Sequence, residues 1–407
     1  MEISNKKDVT NMLISSSPKT KAQEGVRMRA RQLTDFKWTP LRDIPTFTRK
    51  EGNWLFEAGR ELTGFPYSSV EVEDRFITEN VSFESFLSAI ANPHSKLYQV
   101  GHGEHGAPNF GVVCNGLVRY ALGIPRRVST KRFLTIPGMN PVAKCGAYTA
   151  EDLALFDVLY SFGNGVNHVE LITDILRTET NEIAEIELSG GIRPLCARRR
   201  FTVHDFFEKF GGYDLCRYEF IESIPYDESV NELLWNSHIE KKTPKIAVDN
   251  GNNSNYLVGD EVLLSVFSDL SDVVELLCGD TLLHTYAVGG SAMIPLTLPR
   301  GYYTARLQSS GESVSFCVNR AEVAHRVENG VITFSADPCD PNSEIVYLDF
   351  REKGNRAAPL ASYEELSEEE RQSGCFSRRI PQDARHYKIY YRNQYGVWTH
   401  PMTKIWE

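Results

Sequence analysis

The sequence predicts an α+β unit followed by one or two all-β sandwich modules. Three observations carry this reading. Helix-period and strand-period segments alternate up to about Pro225; after about Val230 short strands succeed one another with frequent turns; and a last strand-rich stretch is broken by a charged, helix-prone insertion. A chain of 407 residues has room for roughly two to three such units. Its 41% hydrophobic and 24% charged composition is that of a globular protein with cores. The formal charge of −10 argues against nucleic acid as a partner, because duplex binding draws on Lys and Arg neutralising phosphates. No apolar run approaches the ~20 residues that span a bilayer.

Residues 1–35 are polar without periodicity and are expected to be a mobile arm. They carry no apolar leader, so the default expectation is cytoplasmic, or extracellular and wall-associated if a leader has been removed. The α+β unit is assigned to 36–225. In NWLFEAGRELTG, Trp54, Leu55, Ala58 and Leu62 share a helical face that Gly64 would end. VSFESFLSAIANP predicts a helix capped at Ser82, and TVHDFFEKFGG one capped by Thr202 with Asp205. DVLYSF, HVELITDIL and IAEIEL predict strands, the last two joined as a hairpin through TETNE. Runs such as YLVGDEVLLSVF, DVVELLCGDTLLHTY and GYYTARLQ then predict an Ig-like sandwich over 226–325. VITFSA, EIVYLDFRE and YKIYYRNQYGVWTH predict a second small β domain over 326–407, interrupted by YEELSEEERQ. The eight cysteines contain no CxxC pair, so structural zinc is not expected and most read as packed thiols.

The chemistry concentrates in NFGVVCNGLVRYALGIP. The apolar pattern Leu117, Val118, Ala121, Leu122 places Cys114 at a helix N-terminus, where unpaired N–H groups and the positive end of the helix dipole favour a thiolate. The same N–H groups suit an oxyanion. His168 heads a strand 54 residues later, just after a Gly/Asn turn, a rigid platform for an imidazole facing the sulfur. A polar group on the neighbouring strand should orient that imidazole; Glu187 is chosen, with Ser189 as fallback.

These residues resemble the NlpC-type cysteine peptidases, papain-like enzymes that cut amide bonds in bacterial cell-wall peptides. Cys114-Asn115-Gly116-Leu117, His168-Val169 and Gly64-Phe65-Pro66-Tyr67 are similar to that family's motifs in the family's order, and DVLYSF resembles its lead into the His strand. The likeness covers roughly 50–190. It implies a papain-like fold for the α+β unit, Cys114 as nucleophile, His168 as base and acid, and a substrate cleft lined by Tyr67 with Ser68 and Asn115. It implies a peptide or amide substrate of the peptidoglycan type, no cofactor, and β modules that bind a protein or wall glycan. The family commonly has Asp and Ser around the cysteine; here these are Val113 and Asn115, so its specificity for D-glutamyl-diamino-acid stems is not carried over.

His102, Glu104 and His105 sit among glycines, which argues for a loop rimming the cleft over a metal site. Arg198–Arg200 is read as a solvated charge run, with a grip on a substrate carboxylate as the alternative. Tyr387, Tyr390, Tyr391, Tyr395 and Trp398 are read as core, with a sugar-stacking face as the alternative. The alternatives to a hydrolase are a non-catalytic surface or scaffold protein with a retired hydrolase fold, and a thiol acyltransferase. The scaffold reading predicts that Cys114 and His168 are separated; the transferase uses the same pair.

Overall fold

The computed structural model describes residues 13–48, 52–67, 83–99, 110–124, 128–163, 165–192, 194–226, 244–319, 324–335, 344–352, 360, 364–392, 398–399 and 402–405. Strand β1 (Ile14–Ser15) leads to helix α1 (Lys21–Asp35), which Thr20 caps by accepting the Gln23 N–H at 3.2 Å. Val26, Ala30 and Leu33 recur at i, i+4 and i+7 and are buried. The mobile arm expected over 1–35 is therefore, from Lys21, a packed helix. Its charges had masked the pattern because they point inward: Arg27 stands 3.8 Å from Asp174, and Arg29 Nε donates to the Ala121 carbonyl at 2.9 Å.

Strand β2 (Lys37–Trp38), the hairpin of β3 (Ile44–Thr48) with β4 (Gly52–Phe56), and β5 (Leu62–Thr63) follow. The helix expected over 53–64 is absent, because contiguous Trp54-Leu55-Phe56 serves a strand pair. Gly64 caps no helix. It has a φ of 103°, and a Cβ there would lie 2.0 Å from the Cys196 carbonyl oxygen, so glycine lets two backbones cross. Helix α2 (Phe83–Ala91) buries Phe86, Leu87 and Ile90; Ser82, its expected cap, lies outside the described residues. Short α3 (Lys96–Gln99) and then α4 (Cys114–Ala121) complete the helical layer.

Strands β6 (Met139–Ala143), β7 (Val158–Gly163), β8 (Val166–Arg177), β9 (Ile183–Ile192) and β10 (Leu195–Thr202), helix α5 (Val203–Phe210) and strand β11 (Asp214–Tyr218) follow. The strands form one antiparallel sheet in the order β10-β9-β8-β7-β11-β6, with β1 paired to the far end of β8. The β8–β9 hairpin closes where the Thr178 N–H donates to the Glu182 carbonyl at 2.8 Å. Both faces are covered. Val158, Val169 and Leu171 join Leu117, Val118 and Phe86 in one core, while Leu159, Ile172, Ile186 and Leu188 join Phe206 and Phe210 of α5 in another.

Two all-β modules come next. Strands β12 (Lys245–Val248), β13 (Ser254–Leu257), β14 (Val262–Phe267), β15 (Ser271–Cys278), β16 (Thr281–Gly289), β17 (Ala292–Leu296), β18 (Gly301–Leu307) and β19 (Ser313–Asn319) make a sandwich of β12-β14-β17 and β13-β19-β18-β15-β16. Tyr256, Leu264, Tyr303 and Phe316 fill it. Pro295 lies on edge strand β17, where a residue without an N–H is tolerated. At the seam with the first unit, Asn92 Nδ2 donates to Asp249 Oδ2 at 2.9 Å, and Phe267 packs on the first core.

The last module holds β20 (Ala324–Glu328), β21 (Val331–Ser335), β22 (Glu344–Arg351), β23 (Glu364–Glu365), α6 (Glu368–Ser373), β24 (Cys375–Arg379), β25 (His386–Arg392), β26 (Trp398–Thr399) and β27 (Met402–Lys404). The acidic insertion forms α6, closed by a Ser367–Glu370 capping box and by Gly374 in the left-handed region. Tyr387 is buried with Ile332, Phe334 and Ile389, so it offers no sugar-stacking surface. The side chains of Tyr390, Tyr391, Tyr395 and Trp398 lie outside the described residues. Among the described residues no helix is long and apolar enough to cross a membrane.

Candidate functional site

Cys114 is the first residue of α4, and its N-cap is Val113. Valine has no side-chain acceptor, so the first-turn N–H groups are not capped from that position. The thiol is 4% exposed and within hydrogen-bonding reach of the His168 imidazole. Burial opposes the thiolate; the hydrogen bond and charge of His168, with the N–H groups of Val169 and Asn115, outweigh it and hold Cys114 below the ordinary thiol range. Burial likewise disfavours imidazolium at His168, and Cys114 and Glu170 overcome it to push its pKa up to about 10. The pair therefore favours thiolate and imidazolium.

The orienting group is Glu170. His168 Nε2 lies 2.6 Å from Glu170 Oε1, which leaves Nδ1 as the nitrogen for the sulfur. The same Oε1 accepts from Arg199 Nη2 at 2.5 Å. The Glu170 side chain is 1% exposed, and its Oε2 has no hydrogen-bond partner.

Glu187 and Ser189 do not reach the imidazole. Glu187 accepts from Arg200 at 3.0 Å, Thr173 at 3.3 Å and Arg198 at 3.4 Å, in a buried network that also holds Asp35; Ser189 pairs with Thr173 at 3.0 Å. A register shift in β8 between Ile172 and Asp174 aligns Glu187 with Asp174, four residues beyond Glu170. Glu170 was readable, since residues i and i+2 of a strand share a face and His168-Val169-Glu170 has that spacing.

The room for this arrangement comes from Gly190 and Gly191 of β9. A Cβ at Gly190 would lie 1.9 Å from Glu170 Oε2. One at Gly191 would lie 2.4 Å from the Tyr67 ring and 3.2 Å from the Cys114 nitrogen. Tyr67 and Cys114 thus meet beside Gly191. The Tyr67 segment is fixed on both sides: the Tyr67 N–H donates to the Pro194 carbonyl at 2.7 Å, and the Val112 N–H to the Pro66 carbonyl at 2.9 Å. The mid-strand glycine pair was the overlooked signal.

The remaining candidates divide. Asn115 is buried, and its Nδ2 donates to the Val128 carbonyl at 3.0 Å, so it braces the loop after α4 and does not line a cleft. Ser68, His102, Glu104 and His105 lie outside the described residues. In Arg198–Arg200 each guanidinium is paired internally, to Asp35 and Glu187, to Glu170, and to Glu187, so none is a free substrate grip; Arg198 and Arg199 are mostly buried, while Arg200 stays half exposed and solvated as expected. Among the described residues no group of His, Cys, Asp and Glu is placed to hold a metal.

No family model and no curated protein matches the chain. Solved structures that it is similar to include domains NIE-MG1 of native alpha-2-macroglobulin from Escherichia coli (11% identity, 40% of this chain, 98% of that one, TM-score 0.17). They also include the fibronectin(III)-like modules of Clostridium thermocellum CbhA (15%, 39%, 92%, 0.18) and three N-terminal domains of the bacteriophage RB49 outer capsid protein Hoc (10%, 65%, 96%, 0.21). At these scores the likenesses assign this chain neither a fold nor an activity.

Proposed function

We propose that the α+β unit is a papain-like, cysteine-dependent hydrolase that cleaves amide bonds, in peptides of the cell-wall type. One observation carries the reading: a cysteine at a helix start faces an imidazole whose far nitrogen is held by a buried carboxylate. The Cys114 thiolate attacks the substrate carbonyl carbon, forming the C–S bond, and the oxyanion is met by N–H groups at the start of α4. His168 passes its proton to the leaving amine as the C–N bond breaks. Water then attacks the thioester, His168 takes its proton, and a carboxylic acid leaves while the thiolate is restored. Transfer to an amine in place of water would use the same intermediate. The β modules in this reading bind a protein or a wall glycan.

The test maps iodoacetamide adducts on the full chain and assays Cys114→Ala against tetrapeptide wall fragments. Selective labelling of Cys114 and loss of cleavage in the variant are expected. Labelling of Cys114 no faster than the exposed Cys145 and Cys375 would overturn the reading.

A further inference from the structure

Arg199 has no part in the scheme above, yet it shares the oxygen that holds the imidazole. Its Nη2 and His168 Nε2 meet at Glu170 Oε1, at 2.5 and 2.6 Å. The guanidinium is fixed from behind, with its carbon 5.4 Å from the Phe201 ring centre and 5.8 Å from that of Phe210. A buried carboxylate oxygen needs a donor to replace water, and Glu170 Oε2 has none, so Oε1 carries the polar contacts of this group. A guanidinium stays charged at every working pH, so it offers the shared oxygen a permanent cationic donor.

We infer that Arg199 is a positioning residue: by sharing Oε1 it fixes the Glu170 carboxylate, and through Glu170 it keeps the His168 imidazole aimed at the Cys114 sulfur. The inference rests on the Cys114–His168 reading and adds a member that touches neither substrate nor sulfur. Its neighbours cannot replace it, since Arg198 is committed to Asp35 and Glu187 and Arg200 to Glu187. Among the described residues, the charged and titratable groups nearby include Lys209 on α5, whose Nζ lies over the same Phe201 and Phe210 rings, with Tyr213, after α5, and Cys196, on β10. Burial, then the negative charges of Glu170 and Cys114, pushes Tyr213 and Cys196 up, so these two stay neutral where the ion pair operates.

The test is the pH profile of iodoacetamide alkylation at Cys114, read by peptide mapping on the full chain, which needs no substrate. Arg199→Met is expected to move the midpoint up by about one pH unit, making alkylation below it about tenfold slower. Arg199→Lys should keep most of the low midpoint. Glu170→Gln should reproduce the shift, and it decides the matter if Arg199→Met does not fold. A wild-type profile in folded Arg199→Met, or in Glu170→Gln when Arg199→Met is unfolded, overturns the inference alone. Equal shifts in the Met and Lys variants also overturn it, because the charge would not be the cause. A wild-type midpoint typical of a free thiol and unmoved by His168→Ala overturns the site reading, and this inference with it.

Discussion

A single methyl added at Gly190 tests whether Glu170 orients the imidazole. That methyl would stand 1.9 Å from Glu170 Oε2, 2.5 Å from Cδ and 2.8 Å from Oε1, where ordinary contact begins at 3.4 Å. Relief requires the carboxylate to retreat by about 1.5 Å, given the steep repulsion inside van der Waals contact. Oε1 sits 2.6 Å from His168 and 2.5 Å from Arg199, so such a retreat breaks both bonds. A misplacement of this size in a catalytic constellation costs about 10²-fold in rate, or about 2.7 kcal/mol in activation free energy. The assay is kcat/KM for wall-peptide cleavage alongside the Cys114 alkylation profile, with a melting curve to confirm folding. Gly289→Ala is the control, because nothing lies within 4 Å of a Cβ there. A folded Gly190→Ala with unchanged kcat/KM and alkylation would refute the claim that Glu170 holds His168.

Glu187→Gln is expected to leave kcat/KM within about twofold, since it does not touch His168. It should lower stability by roughly 1–3 kcal/mol through loss of a charge-assisted network, read from urea midpoints. The rate profile should be a bell. It rises as Cys114 ionises below the ordinary thiol range, and it falls through about 10 as His168 loses the proton that the leaving amine requires; stopped-flow assays across buffers check both limbs. Phe206→Ala empties the core under α5 and should cost about 3–5 kcal/mol, again by urea denaturation.

Much of the fold was legible where one periodicity ruled a segment. Leu159 and Ile172 fall in strands read from their runs, and Thr202 caps α5 by accepting the Asp205 N–H at 3.2 Å. The reading failed where polarity faced inward. The arginines of α1 hid a buried helix, since composition does not show whether a charge meets water or Asp174. At the site, Cys114 and His168 stood out through spacing and helix-start chemistry. Glu170 was readable from its i+2 spacing to His168 but went unchosen, and Arg199 did not stand out, because a run of arginines looks the same whether solvated or locked to a carboxylate. Register decided between Glu170 and Glu187: Glu187 pairs with Asp174, well along β8 from His168.

The contact between Asn92 and Asp249 bears on how the molecule can be dissected. Asp249 Oδ1 also takes the Tyr256 hydroxyl at 2.5 Å, so the amide at the end of α2 is clamped to a tyrosine in the heart of the adjoining sandwich. A clone ending at residue 226 would strip Phe267 from its seat and leave the Asn92 amide facing solvent. The shortest fragment worth purifying for enzymology therefore runs past Asn319, with the sandwich retained as a buttress.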